Sequence, residues 1–209
     1  DVGFYAGNGT SQTISNVGFQ AETAFVFGES GSQTVFRTNQ SASIFDLSNN
    51  GAYASSITSL GIDSFAVGNS LTTNQSAINY HYFAFNENTN YFKTGTYTGN
   101  GADNRNITGV GFESEFLIVK ATSTNNFAIG KTESTGFSTD ANVAGATNQT
   151  QALQTDGFQV GSDATVNQNA VTYMYLAFRQ HDAPLIVDTT SDGSDGTTTS
   201  INTLRASKG

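Results

Sequence analysis

Asp188, Asp192 and Asp195 stand in a stretch rich in glycine, serine and threonine, and clustered carboxylate oxygens are what a hard cation such as Ca2+ requires. Their spacing is not that of an EF-hand loop, so Ca2+ is the one cofactor expected and a solvated linker is the alternative. His81 and His181 lie inside a strand-like run and just after its counterpart, with no nucleophile or metal partner at a definable spacing, which points to structural roles. Asp63 and Asp156 each precede a matched Phe-x-Val-Gly turn and are read as turn caps. A glycosidase would need two carboxylates facing each other across a groove, and here they are dispersed. Lys93, Lys120 and Lys131 are candidates for a Lys–Asn or Lys–Asp isopeptide crosslink, Lys120 being best placed by strand position; the bland reading is an ordinary strand-end lysine. Gly7-Asn8-Gly9 and Gly99-Asn100-Gly101 lack the following helix or lysine of a phosphate cradle and read as tight turns with positive φ. Asn-x-Ser/Thr sequons begin at Asn8, Asn39, Asn74, Asn106 and Asn148, as expected in so Asn- and Thr-rich a chain. No catalytic residue is assigned, and the expectation is that the protein is not an enzyme.

The elements that must position these groups come in two copies. Phe4-Tyr5-Ala6-Gly7-Asn8-Gly9, Ile14 and Val17-Gly18-Phe19 return as Thr96-Tyr97-Thr98-Gly99-Asn100-Gly101, Ile107 and Val110-Gly111-Phe112. Asp63 to Gly68 matches Asp156 to Gly161, and Asn74, Ala77, Tyr80, Tyr82, Ala84 and Phe85 match Asn167, Ala170, Tyr173, Tyr175, Ala177 and Phe178. The offset is 92 residues at the first glycines and 93 afterwards, so one residue is inserted near Asn104. A unit of that length exceeds a solenoid repeat and suits a small sandwich. Duplication multiplies a scaffold or a binding face more often than a catalytic centre.

Short aromatic and β-branched runs, bounded by Gly, Asn, Asp and Ser, predict strands and turns throughout. The runs 24–27 and 115–120 are nearly continuous in apolar residues, which predicts burial on both faces. The runs 77–85 and 170–178 alternate, with Tyr80, Tyr82 and Ala84 opposite His81, Phe83 and Phe85, and Tyr173, Tyr175 and Ala177 opposite Met174, Leu176 and Phe178. Helical signals are weak, a single turn being expected at 55–60 and at 147–153. The predicted fold class is all-β: two tandem jelly-roll-like antiparallel β-sandwich repeats, residues 1–90 and 91–182. A C-terminal strand and Asp/Gly/Thr-rich arm follows at 183–209, with Leu185-Ile186-Val187 as the strand.

Only 12% of the 209 residues are charged and the formal net charge is −9, so the chain offers no Lys/Arg face for nucleic acid or an anionic membrane. No apolar run approaches a transmembrane length, and membrane insertion is not expected. There is no cysteine, which excludes disulfides, thiolate metal sites and a cysteine nucleophile. The 16 Phe and 8 Tyr must then supply the core, at roughly 1.5–3 kcal/mol for each large aromatic fully buried.

Tyr97-Thr98-Gly99-Asn100-Gly101, Ile107 to Phe112, a hydrophobic strand ending in Lys120, Asp156 to Asp163 and Tyr173 to Arg179 resemble an uncharacterised β-sandwich module of phage virion and large secreted bacterial proteins, itself similar to concanavalin-like jelly rolls. The first copy departs from it at Ala6, at Gly28 in place of the strand-ending lysine, and at Ile62 before Asp63. Leu185 to Gly196 with Ser200, Ile201 and Leu204 resembles the opening of the CSLREA domain, which implies a segment of a longer secreted protein. These readings lead to two functional expectations. The first is an extracellular or cell-surface structural subunit, self-associating into a homo-oligomer or polymer such as a filament, sheath or fibre. The second is a lectin-like, glycan-binding adhesion module of a bacterial surface protein or a phage virion.

Overall fold

The computed structural model describes residues 1–180 apart from 32, 43, 49–52, 54, 124–125 and 134–145. His181, Asp188, Asp192, Asp195 and the run 185–187 therefore lie outside the described residues.

In the first repeat, β1 (Val2–Ala6), β3 (Thr23–Gly28), β4 (Val35–Thr38), β5 (Phe45–Asp46) and β7 (Asn79–Phe85) form a five-stranded antiparallel sheet in the order β1-β7-β3-β4-β5. A second sheet pairs β2 (Gln12–Gln20) with β6 (Ile57–Val67). In the second repeat, β8 (Phe92–Thr98), β10 (Phe116–Ala121), β11 (Ile129–Thr132) and β14 (Thr172–Phe178) form a sheet in the order β11-β10-β14-β8. It is partnered by β9 (Arg105–Thr108), β12 (Thr150–Gln154) and β13 (Gly157–Val160), in the order β12-β13-β9. Each ladder joins strands of one repeat only. The fold is an all-β sandwich architecture, as composition and alternation require.

Alternation decides which side chains meet. Tyr5, Val26, Tyr80, Tyr82 and Ala84 of the five-stranded sheet face Ile14, Val17, Ile57, Phe65 and Val67 of its partner in one core. Tyr97, Leu117, Val119, Tyr173, Tyr175 and Ala177 face Ile107, Phe158 and Val160 in a second. A third core belongs to neither repeat alone. Phe25, Phe36 and Phe45 of the first repeat pack with Phe92, Ile118, Ala128, Met174 and Leu176 of the second, with Phe85 and Phe178 beside them. The two larger sheets thus meet back to back, and each repeat's smaller sheet lies on the outside. The double-sided apolar character of 24–27 and 115–120 follows from this: one face looks into its own sandwich, the other into the seam.

Three expectations require correction. The run 55–60 enters β6 and the run 147–153 enters β12, so neither is helical. The single-turn helices are instead α1 (Leu71–Asn74) and α2 (Ala164–Asn167), capped by Ser70 and Asp163, whose side-chain oxygens accept from Thr72 N (3.3 Å) and Thr165 N (2.8 Å). The third concerns Lys120. Phe27 pairs with His81 on β7, and Lys120 pairs with Met174 on β14, so Phe27, not Gly28, stands where the second repeat has its lysine. The extra residue near Asn104 sits in the turn before β9, with Asn104 in the left-handed region at φ 55.

Candidate functional site

The most repeated polar constellation is a buried asparagine. Asn74 and Asn167, at the ends of α1 and α2, have no solvent exposure. Asn74 Oδ1 accepts from Asn8 N (2.9 Å) and Gln12 Nε2 (2.7 Å), while its Nδ2 donates to Gly68 O (2.7 Å) and to Thr10 O. Asn167 Oδ1 accepts from Asn100 N (3.0 Å) and Arg105 Nη1 (3.1 Å), while its Nδ2 donates to Ala102 O (2.7 Å) and Gly161 O (2.9 Å). Each amide therefore ties three loops together with all its donors and acceptors spent. The glycines of the Gly-Asn-Gly loops serve different needs. A Cβ on Gly99 would lie 2.1 Å from Gln168 O, whereas Gly101 needs its φ of 71°. These loops are turns, and the asparagine is their clamp. The same burial removes the sequon at Asn74 from glycosylation.

The remaining candidates separate. Asp156 Oδ1 accepts from Gly111 N (2.7 Å) in the bend after β9, and Asp63 Oδ1 accepts from Gly18 N in the register-shifted part of β2, so each carboxylate binds the irregular backbone beside a neighbouring strand and not its own turn. Asp156 also borders a shallow groove of about 460 Å³ with Glu113, Leu153 and Gln154. Among the described residues no three His, Asp or Glu side chains come together as metal ligands. His81 lies on the seam-side face of β7, its Nε2 3.0 Å from Glu29 Oε1, and its ring stacks on Phe27 at 5.4 Å. That contact, with Asn79 donating to the other oxygen, holds the Glu29 carboxyl below its usual range.

The lysines sit in three environments. Lys93 pairs with Glu87 at 2.7 Å in the junction between the repeats, and Lys131 is buried on β11. Lys120 is 1% exposed and reaches across the seam, donating to Ser48 O of the first repeat and to Asn126 O, with Asp46 Oδ1 at 4.0 Å. Asp46 Oδ2 in turn accepts from Ser48 Oγ (2.6 Å) and Tyr53 Oη (2.7 Å). Burial pushes the Lys120 ammonium below its ordinary pKa, and Asp46 pulls it back up. Strand position had singled out Lys120 among the lysines; its partner in the other repeat was not legible, because β5 is only two residues long.

The seam continues beyond its own cover. On the same face of the five-stranded sheet, Val2 and Phe4 of the edge strand β1 are 69% and 73% exposed, and Phe83 is 43% exposed. Register places Phe4 opposite His81 and Val2 opposite Phe83, and Phe27 lies 5.4 Å from the Phe83 ring. Sequence reading assigned His81, Phe83 and Phe85 to one face but missed that the second repeat covers only part of it. The available signal was that both faces of this strand are apolar, so each requires a covering layer.

Comparison with curated proteins found no match, and comparison with solved structures found none. The family model described as a domain of unknown function, DUF7483, matches residues 31–181 and also residues 87–206, the second match opening at the junction between the repeats. The first match spans well over half the chain, and the chain belongs to the DUF7483 family.

Proposed function

We propose that this protein is an extracellular structural subunit of a filament, sheath or surface fibre, its repeats being jelly-roll modules of the concanavalin-like kind. The observation that carries this reading is the seam. Two sandwiches joined back to back through phenylalanines and a buried Lys120–Asp46 pair make a scaffold whose apolar packing is continuous across its centre. The junction supports the same reading: Glu87 accepts from Lys93 Nζ, Thr94 N and Thr94 Oγ1, while Arg179 N donates to Tyr91 O. Polar groups at the matched positions serve as loop clamps and turn caps rather than as a reactive cluster. Assembly would combine contacts between sandwiches with strand addition by the arm 183–209, whose Asp188, Asp192 and Asp195 would carry any Ca2+ dependence.

Negative-stain electron microscopy of the purified chain, with and without Ca2+, tests this directly. Ordered polymers are expected, and deletion of residues 184–209 should abolish them while leaving the sandwiches folded. Dispersed monomers in both conditions would overturn the proposal. A lectin-like reading, on a bacterial surface or a phage virion, is favoured by one observation: exposed Phe4 and Phe83 with His81, Asn79 and Glu29 beside them offer apolar faces next to hydrogen-bonding groups. A glycan array separates the two readings.

A further inference from the structure

The exposed face of the first repeat is unlike the same face of the second. The positions matching Val2 and Phe4 are Thr94 and Thr96, since Val2 pairs with Phe83 and Phe4 with His81, while Thr94 pairs with Leu176 and Thr96 with Met174. Thr94 is buried and its hydroxyl hydrogen-bonds Glu87, and Thr96 is exposed and polar. In the first repeat both threonines give way to apolar side chains, each more than two-thirds exposed. A single exposed apolar residue needs no explanation, but a contiguous group does. Val2, Phe4, Phe27, His81 and Phe83 are contiguous across β1, β7 and β3, and Val2 and Phe4 lie on the edge strand β1, whose backbone groups on one side pair with no other strand among the described residues.

We propose that this patch is where a second copy of the chain docks, patch to patch about a two-fold axis. The inference rests on the structural-subunit reading and names its contact surface. The argument for a second copy is continuity with the seam. The same sheet face already accepts the four-stranded sheet of the second repeat through Phe25, Phe36 and Phe45, and the uncovered part presents the same chemistry. The Glu29–His81 pair at its margin gives each copy one acidic and one imidazole group on the rim, an arrangement that a two-fold axis can make self-complementary. Two chains of net charge −9 repel at long range, and salt screens that repulsion beyond about 8 Å at physiological ionic strength. Association through this face therefore strengthens with salt, the reverse of an ionic interface. A two-fold contact closes at a dimer, so growth of a polymer requires a second contact, which the arm would supply.

Sedimentation of the full-length chain at low and high salt is the test, comparing wild type with Phe4→Glu and Val2→Lys, and with circular dichroism and thermal melts confirming that each variant is folded. The wild type should self-associate, more tightly at high salt, and each variant should weaken that association about tenfold or more. If the wild type associates and both folded variants associate equally, the face is wrong while the subunit reading stands. A wild type that stays monomeric at all concentrations overturns both. A monomeric wild type that binds a glycan array through a Phe4-dependent contact assigns the patch to sugars instead.

Discussion

Lys120 shows how one side chain binds the two repeats together. Its ammonium is out of water, donates to carbonyls on both sides of the seam, and among the described residues has Asp46 as its close counter-charge. A buried pair of this kind adds little net stability, because desolvation offsets the attraction, but removing one partner strands the other. Lys120→Met should therefore cost about 3 kcal/mol or more in chemical denaturation. Adding Asp46→Asn should recover a large part of that loss, and a double variant as unstable as the sum of the singles would show that the pair is not coupled. The lysine was conspicuous in the sequence by position alone. Its role was not, since the partner lies 74 residues away on a strand too short to leave a pattern. Asn74 and Asn167 were legible as a matched pair, and their full hydrogen-bond sets explain why both copies keep the residue type.

At the scale of the element, β7 and β14 begin later than alternation suggests. The apolar runs open at Ala77 and Ala170, yet the strands start at Asn79 and Thr172, because both alanines are left-handed, with φ of 65° and 61°. A Cβ in that region costs about 1–2 kcal/mol, and the same residue in both copies marks a turn geometry inherited with the duplication. Ala77→Gly and Ala170→Gly relieve that strain but enlarge the unfolded ensemble by about 0.4–1 kcal/mol. Each substitution should stabilise by up to about 1 kcal/mol, read as a rise in the denaturation midpoint. Destabilisation by either would mean that the methyl group contributes packing that outweighs its strain. The helices were missed for a related reason: one turn has no hydrophobic period, and only the Ser70 and Asp163 caps announce it.

At the scale of the molecule, stability depends on neutral tyrosines in the two sandwich cores. Burial raises the Tyr5 and Tyr97 phenols far above their ordinary pKa, helped by the stacked Tyr80 and Tyr173 rings; burial also raises Tyr82, Tyr173 and Tyr175. In the unfolded chain these phenols ionise near pH 10, whereas in the fold Tyr5 and Tyr97 keep their protons well above it. Stability is thus unaffected by them below about pH 10 and falls above it, by about 1.4 kcal/mol per pH unit for each of Tyr5 and Tyr97, with Tyr82, Tyr173 and Tyr175 adding in the same direction. Lys120 and Lys131, lowered by burial, act in the opposite sense at lower pH: stability rises as pH climbs towards the ordinary lysine value of about 10.4, above which their contribution is constant. Urea midpoints measured from pH 8 to 11 should rise towards about pH 10 and drop above it; a midpoint that keeps rising past about pH 10.5 would overturn the tyrosine assignment. Tyr-x-Tyr alternation, turn glycines and the internal duplication were sufficient by themselves to determine an all-β sandwich and to assign the two faces of the runs 77–85 and 170–178, because period-2 patterning is a local property of the chain. What covers the outward face of each large sheet is a contact between segments of different repeats, far apart in the chain and with no shared period. Only the tertiary structure could decide that the two repeats stand back to back, that Lys120 meets Asp46 between them, and that Val2 and Phe4 are left in solvent.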